Sequence, residues 1–264
     1  MTPRTDNVIN PRPSSGSVFV RPLFRGWLGL DVRSGWILLA LFSVSRVLLV
    51  MQANVTHSYT LVSVFFVIMA LTPLILLSGE GRRRIGLTWR TRFAGMISAV
   101  LLGAACCVAM ILSGQWLFGS GEQNAFVYIA GTYSGLPAVM SDKVRWILFG
   151  VFALIGMTLS PIGEELFYRG LVHECFAEKI GGWRAACVDA AGFAVVHLAH
   201  FGLVWGAMGW VFLPLPALWW LAGMFLTALA FNWSRRSTGS IVGAVAAHAA
   251  FNLIMTAWIF FVLL

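Results

Sequence analysis

Charge is what this chain has least of. Only 11% of its 264 residues are charged and 59% are hydrophobic, where an ordinary soluble domain is about 25% charged. That shortage excludes a conventional water-soluble domain. Cysteine is scarce too, and the four present make no disulfide framework. Cys106 and Cys107 are neighbours in one apolar run. Cys175 and Cys187 flank the side that the charge distribution assigns to the cytoplasm, where thiols stay reduced. All four read as small apolar residues. No internal repeat is visible, so an inverted-repeat transporter gains no support. The first 34 residues lack the short apolar core and small-residue cleavage site of a signal peptide. Being rich in Arg, Pro and Ser, residues 1–34 read as a flexible, basic cytoplasmic tail.

What is present in quantity is apolar sequence in lengths of roughly 20 residues, enough to cross a bilayer as helix. The pattern predicts an all-α, polytopic transmembrane bundle over residues 35–264. About seven spans are expected, near 35–53, 58–78, 93–113, 144–165, 185–203, 208–232 and 240–264. Pro214 and Pro216 predict a kinked or shortened sixth crossing. The +8 formal charge does not point to nucleic acid, because the basic residues fall between the apolar runs. With the N-terminus in the cytoplasm, Arg4, Arg12, Arg21, Arg25, Arg33, Arg82, Arg83, Arg84, Arg90, Arg92, Arg169, Lys179, Arg184, Arg235 and Arg236 all lie on that side. Lys143 and Arg145 lie opposite, and Arg46 falls within the first span. Fifteen against two satisfies the positive-inside rule with the N-terminus in and the C-terminus out. Gly79–Arg92, with three arginines and Trp89, is expected along the inner headgroup surface.

Polar residues inside the spans are few, which makes them informative. The fourth span ends in Pro-Ile-Gly-Glu-Glu-Leu-Phe-Tyr-Arg, bringing Glu164, Glu165 and Arg169. A charge at membrane depth costs roughly 2.5–3.5 kcal/mol even on lenient scales, so each is a functional-site hypothesis by default. Glu165 and Arg169, at i and i+4, are spaced for an ion pair. Glu164 has no local partner. The fifth span brings Phe193, His197 and His200; the seventh brings His248 and Asn252, again at i and i+4. Counting 1.5 Å per residue, Glu164, His197 and His248 lie about 12–20 Å from the cytoplasmic ends of their helices, so they can meet in that half of the bundle. Structural readings stand beside this one: a lone intramembrane histidine can simply bridge helices, and Glu165–Arg169 can be a purely structural pair. His173 and His200 read as peripheral, Asp189 as facing water, and Arg46 has no assigned role.

Glu-Glu-x-x-x-Arg at 164–169, Phe-x-x-x-His at 193–197 and His-x-x-x-Asn at 248–252 occur in that order on successive apolar segments. Together they resemble the CPBP family of CAAX-protease and bacteriocin-processing intramembrane endopeptidases, also called Abi. The resemblance spans roughly 80–260 and includes Arg-Arg-Arg-Ile-Gly-Leu at 82–87. It implies a catalytic core at about 144–264 that hydrolyses a peptide bond within the membrane. Glu164 would activate a water that His197 holds, and His248 and Asn252 would donate to the oxyanion. Glu165 and Arg169 would support the site, with Phe193 packing its wall. No cofactor is favoured. The alternative is a zinc ion on Glu164, His197 and His248, although no His-Glu-x-x-His pair is present.

The implied substrate is a hydrophobic or lipid-modified peptide, and the implied setting is the plasma (cytoplasmic) membrane with the active site facing the cytoplasm. Two other functions remain open on the residues alone. One is a transporter or proton-coupled carrier using the Glu/His cluster as a relay. The other is a catalytically silent immunity or scaffold protein.

Overall fold

The computed structural model describes residues 18–88, 90–133, 136–137 and 139–264. Arg4, Arg12 and the rest of the expected tail up to residue 17 lie outside the described residues, as does Trp89. From Val18 onward the chain is held against the bundle: Val20 bridges Leu77, and Ser78 donates its amide to the Phe19 carbonyl. Asp31 then caps the first long helix by accepting from the Ser34 amide, which satisfies one of the donors that a helix start leaves open.

The described residues form a helical bundle. Its elements are α1 (Val32–Thr56), α2 (Thr60–Leu76), α3 (Gly79–Arg84), α4 (Phe93–Phe118), α5 (Ala125–Gly131), α6 (Asp142–Glu164), a π-helical stretch (Glu165–Val172), α7 (His173–Ile180), α8 (Gly182–Val196), α9 (Pro214–Thr238) and α10 (Ile241–Trp258). Among the described residues five helices are long and apolar enough to cross a membrane; the longest runs without a break from Asp142 to Ile180 through the π-helical stretch. Two of the expected spans are shorter. Thr60–Leu76 and Gly182–Val196 extend only about 25 and 22 Å, against roughly 30 Å of hydrocarbon. The expected crossing at 208–232 also begins later. Leu203–Gly206 (β1) and Gly209–Phe212 (β2) pair as an antiparallel hairpin, and Gly202 and Gly209 adopt positive φ beside and within it. Pro214 stands at the helix start rather than at a kink; there its missing N–H costs nothing and its fixed φ suits the first turn.

Two close crossings hold the bundle tight. A β-carbon on Gly103 of α4 would collide with the Ala247 carbonyl of α10, and one on Gly163 of α6 with the Phe66 carbonyl of α2. Small residues let membrane helices approach backbone to backbone, where packing rather than hydrophobicity drives association. All the helix ends near residues 32, 76–93, 180–182 and 238–241 gather at one pole. Arg92 donates its amide to Thr238 there, and Arg84 and Arg235 pair with Glu174. The α1–α2 turn, α5, the hairpin and the C-terminus lie at the other pole. There Trp205 donates to Tyr128, and Arg145 donates to Phe260 and Leu264.

Candidate active site

Glu164 closes α6 and is 1% exposed. Its Oε1 lies 2.7 Å from Nη2 of Arg46, which is equally buried on α1. Its other oxygen, Oε2, has no hydrogen-bond partner. Arg46 was the residue without a role, and its position follows from elementary electrostatics: a charge buried in hydrocarbon must find its opposite. The same Nη2 approaches Nε2 of His197 at 3.3 Å and Nε2 of His200 at 3.4 Å.

His197 follows the last turn of α8, four residues after Phe193, and its Nδ1 lies 2.6 Å from the Phe193 carbonyl. A carbonyl only accepts, so Nδ1 carries the hydrogen. In the neutral ring Nε2 is then the lone-pair nitrogen, turned toward Arg46.

His248, on α10, is held through Nδ1, 2.8 Å from Glu165 Oε1. Its ring stacks on Phe231 with centroids 4.8 Å apart. Asn252, one turn further, donates Nδ2 to the Gly156 carbonyl at 2.8 Å and to Ser160 Oγ at 3.2 Å. It therefore ties α10 to α6.

Beneath these groups lies a second, fully buried charge cluster. Arg169 Nε is 3.2 Å from Glu165 Oε2 and 3.7 Å from Asp189 Oδ1. Neither Arg169 Nε nor Glu165 Oε2 meets hydrogen-bond geometry, so this is a contact of charges rather than an aligned bond. The guanidinium lies 4.1 Å from the centre of the Phe193 ring and 5.5 Å from that of Phe231, a cation–π arrangement that suits a desolvated arginine. Asp189 does not face water. It is fully buried, 2.9 Å from His173 Nδ1, and accepts from Asn232 at 2.8 Å. His173 is thus part of the cluster, and His200 lies beside Arg46 rather than at the periphery.

A cavity of about 560 Å³ takes in Glu164, His197, His248, Asn252, Phe193 and Arg46. The four candidate reacting residues, on α6, after α8 and on α10, therefore share one space. The zinc alternative does not fit the donor set: a guanidinium, itself a cation, occupies the approach between Glu164 and His197. Among the described residues no three of His, Cys, Asp and Glu converge to hold a metal ion. Arg46, Asp189, Asn232 and His200 were missed in the sequence reading. Arg46 carried a usable signal, as a charge in the middle of an apolar span that had to be neutralised by some acid.

Fold and site together define a multi-pass integral membrane protein with a buried carboxylate–histidine–asparagine centre. Residues 146–254 match the family model described as type II CAAX prenyl endopeptidase Rce1-like, and over that part of its length the chain is similar to this family. The matched stretch contains every residue of the three motifs and stops short of Arg46. Comparison with curated proteins and with solved structures returns no match. That similarity supports a hydrolase activity in general.

Proposed function

We propose that the chain is an intramembrane endopeptidase that cleaves a membrane-associated, hydrophobic peptide with a water activated by Glu164. The observation that carries this reading is the shared cavity, lined by four polar residues of three motifs, of which Glu164, His248 and Asn252 are buried and His197 is half-buried. Glu164 retains a free carboxylate oxygen, Oε2, and His197 offers the Nε2 lone pair. A water bound to Oε2 reaches His197 Nε2 by displacing the Arg46 Nη2 contact to that nitrogen, and the two acceptors then aim its oxygen at a carbonyl carbon. As the oxygen attacks, one proton passes to Glu164, which then delivers it to the departing amine; this general acid–base exchange typically contributes about 10²–10⁴-fold.

The oxyanion of the tetrahedral intermediate needs donors. His248 is held through Nδ1 by Glu165, which leaves Nε2 as the atom that would donate a hydrogen to the oxyanion. Asn252 can exchange its longer contact, to Ser160, for the same oxygen. Each such donor is worth about 2.7–4 kcal/mol. Arg46 supplies the counter-charge that makes a carboxylate tolerable at this depth, and Arg169 does the same for Glu165.

A transporter would need a second conformation that opens the floor of buried aromatic rings beneath the cluster, and the motif match to a peptidase family favours hydrolysis. The test compares membrane peptides from cells making the wild-type chain with those from cells making Glu164→Gln. Precursors that accumulate only with the variant support hydrolysis. Identical peptide pools would remove it.

A further inference from the structure

The direction from which the site is entered has its own structural signature. Cavity-lining residues lead from Glu164 toward one pole only. His57, Ser58, Tyr59 and Thr60 of the α1–α2 turn line it, as do Thr132 and Tyr133 after α5; His57, Ser58 and Thr60 are exposed. His57 is eleven residues beyond Arg46, roughly 16 Å along the helix. In the opposite direction the structure is sealed. Glu165, Phe167, Tyr168 and Arg169 are each 0% exposed, Phe193 and Phe231 1%. Gly163 brings the α6 backbone directly against α2 at Phe66. About 24 Å of helix, from Glu164 to Ile180, lies beyond that plug.

The sealed pole is the basic one. It carries Arg33, Arg82, Arg83, Arg84, Arg92, Lys179, Arg184, Arg235 and Arg236, and the open pole carries Lys143 and Arg145. Arginine- and lysine-rich ends stay in the cytoplasm during insertion. The cavity also reaches the side of the bundle: Ile155 of α6, 46% exposed, lines it together with Ser63 of α2.

We infer that the site admits its substrate from the non-cytoplasmic side, through the mouth at the α1–α2 turn and the cleft between α2 and α6. The substrate is then a bilayer-anchored polypeptide whose scissile bond lies in the non-cytoplasmic leaflet, a segment already translocated when it is cut. This reverses the cytoplasmic-facing expectation from the sequence, where helix lengths alone could not tell which end of the cluster is plugged. The substrate class rests on the peptidase reading; the direction of access does not.

The test uses the full chain with Cys106, Cys107, Cys175 and Cys187 replaced by alanine, and one new cysteine at a time. Ser63→Cys probes the cavity wall, Ser58→Cys the mouth and Arg83→Cys the basic pole. A membrane-impermeant thiosulfonate added to intact cells should label Ser63→Cys and Ser58→Cys, and should reach Arg83→Cys only after the cells are opened. The reverse pattern overturns the inference, whether or not the protein cleaves anything. In cells that accumulate a precursor with Glu164→Gln, a polyethylene-glycol maleimide added outside to Ser58→Cys should abolish removal of that precursor. Full labelling with undiminished cleavage would overturn this route of entry, while absence of precursors in the Glu164→Gln cells would remove the peptidase reading and leave the labelling result standing.

Discussion

At the scale of single residues, the two adjacent glutamates have unlike environments. Glu165 is surrounded by Arg169 and His248, whereas Glu164 meets Arg46 with one oxygen and keeps the other free. Glu164→Gln should therefore abolish cleavage, but it also strands Arg46 as a buried cation. Removing one partner of a buried pair typically costs about 3–5 kcal/mol, so the variant should melt earlier in detergent. The double variant Arg46→Gln/Glu164→Gln should recover most of that loss and remain inactive, a separation readable from melting curves and peptide cleavage. Arg46→Lys keeps the charge but loses the planar fork, and should lower the cleavage rate more than it lowers the melting temperature. The motif residues were legible in the sequence because their spacings lie within one helical turn. Arg46 and Asp189 were not: their partners come from other helices, and one-dimensional spacing carries no record of helix order in a bundle.

At the scale of elements, the stretch Glu165–Val172 is wound as a π-helix between α6 and α7. Such wide turns occur mostly as short insertions and frequently at functional sites. Arg235 of α9 donates to the Arg169 carbonyl within it, and Asp189 of α8 lies against the Arg169 guanidinium. Asp189→Ala should accordingly destabilise the fold and reduce cleavage although the residue lies outside the cavity; Asp189→Asn, which can still bond Asn232, should do less harm. The crossing at Gly103 offers a test free of the chemistry. Gly103→Leu drives α4 away from α10, and overpacking of this kind costs about 1–3 kcal/mol or more, to be read as a lower melting temperature. Apolar run length predicted the long helices well. It failed at 203–212, where a hairpin of apolar and aromatic residues satisfies its backbone by strand pairing, and hydropathy does not distinguish that from helix.

At the scale of the whole molecule, the distribution of charge and the position of the cavity carry the account. Basic residues collect at one pole, the cavity opens toward the other, and a layer of buried aromatic and ionic side chains closes the space between them. A carrier would have to open that floor to pass its substrate to the other face. The most direct measurement is therefore made on purified protein reconstituted in liposomes, with a precursor that accumulates in Glu164→Gln cells as substrate. The wild-type chain should cut the precursor into two peptides, the Glu164→Gln chain should bind it and leave it whole, and neither should carry it across the bilayer. Cleavage by Glu164→Gln at the wild-type rate, or passage of uncut peptide to the opposite compartment, would contradict the assignment.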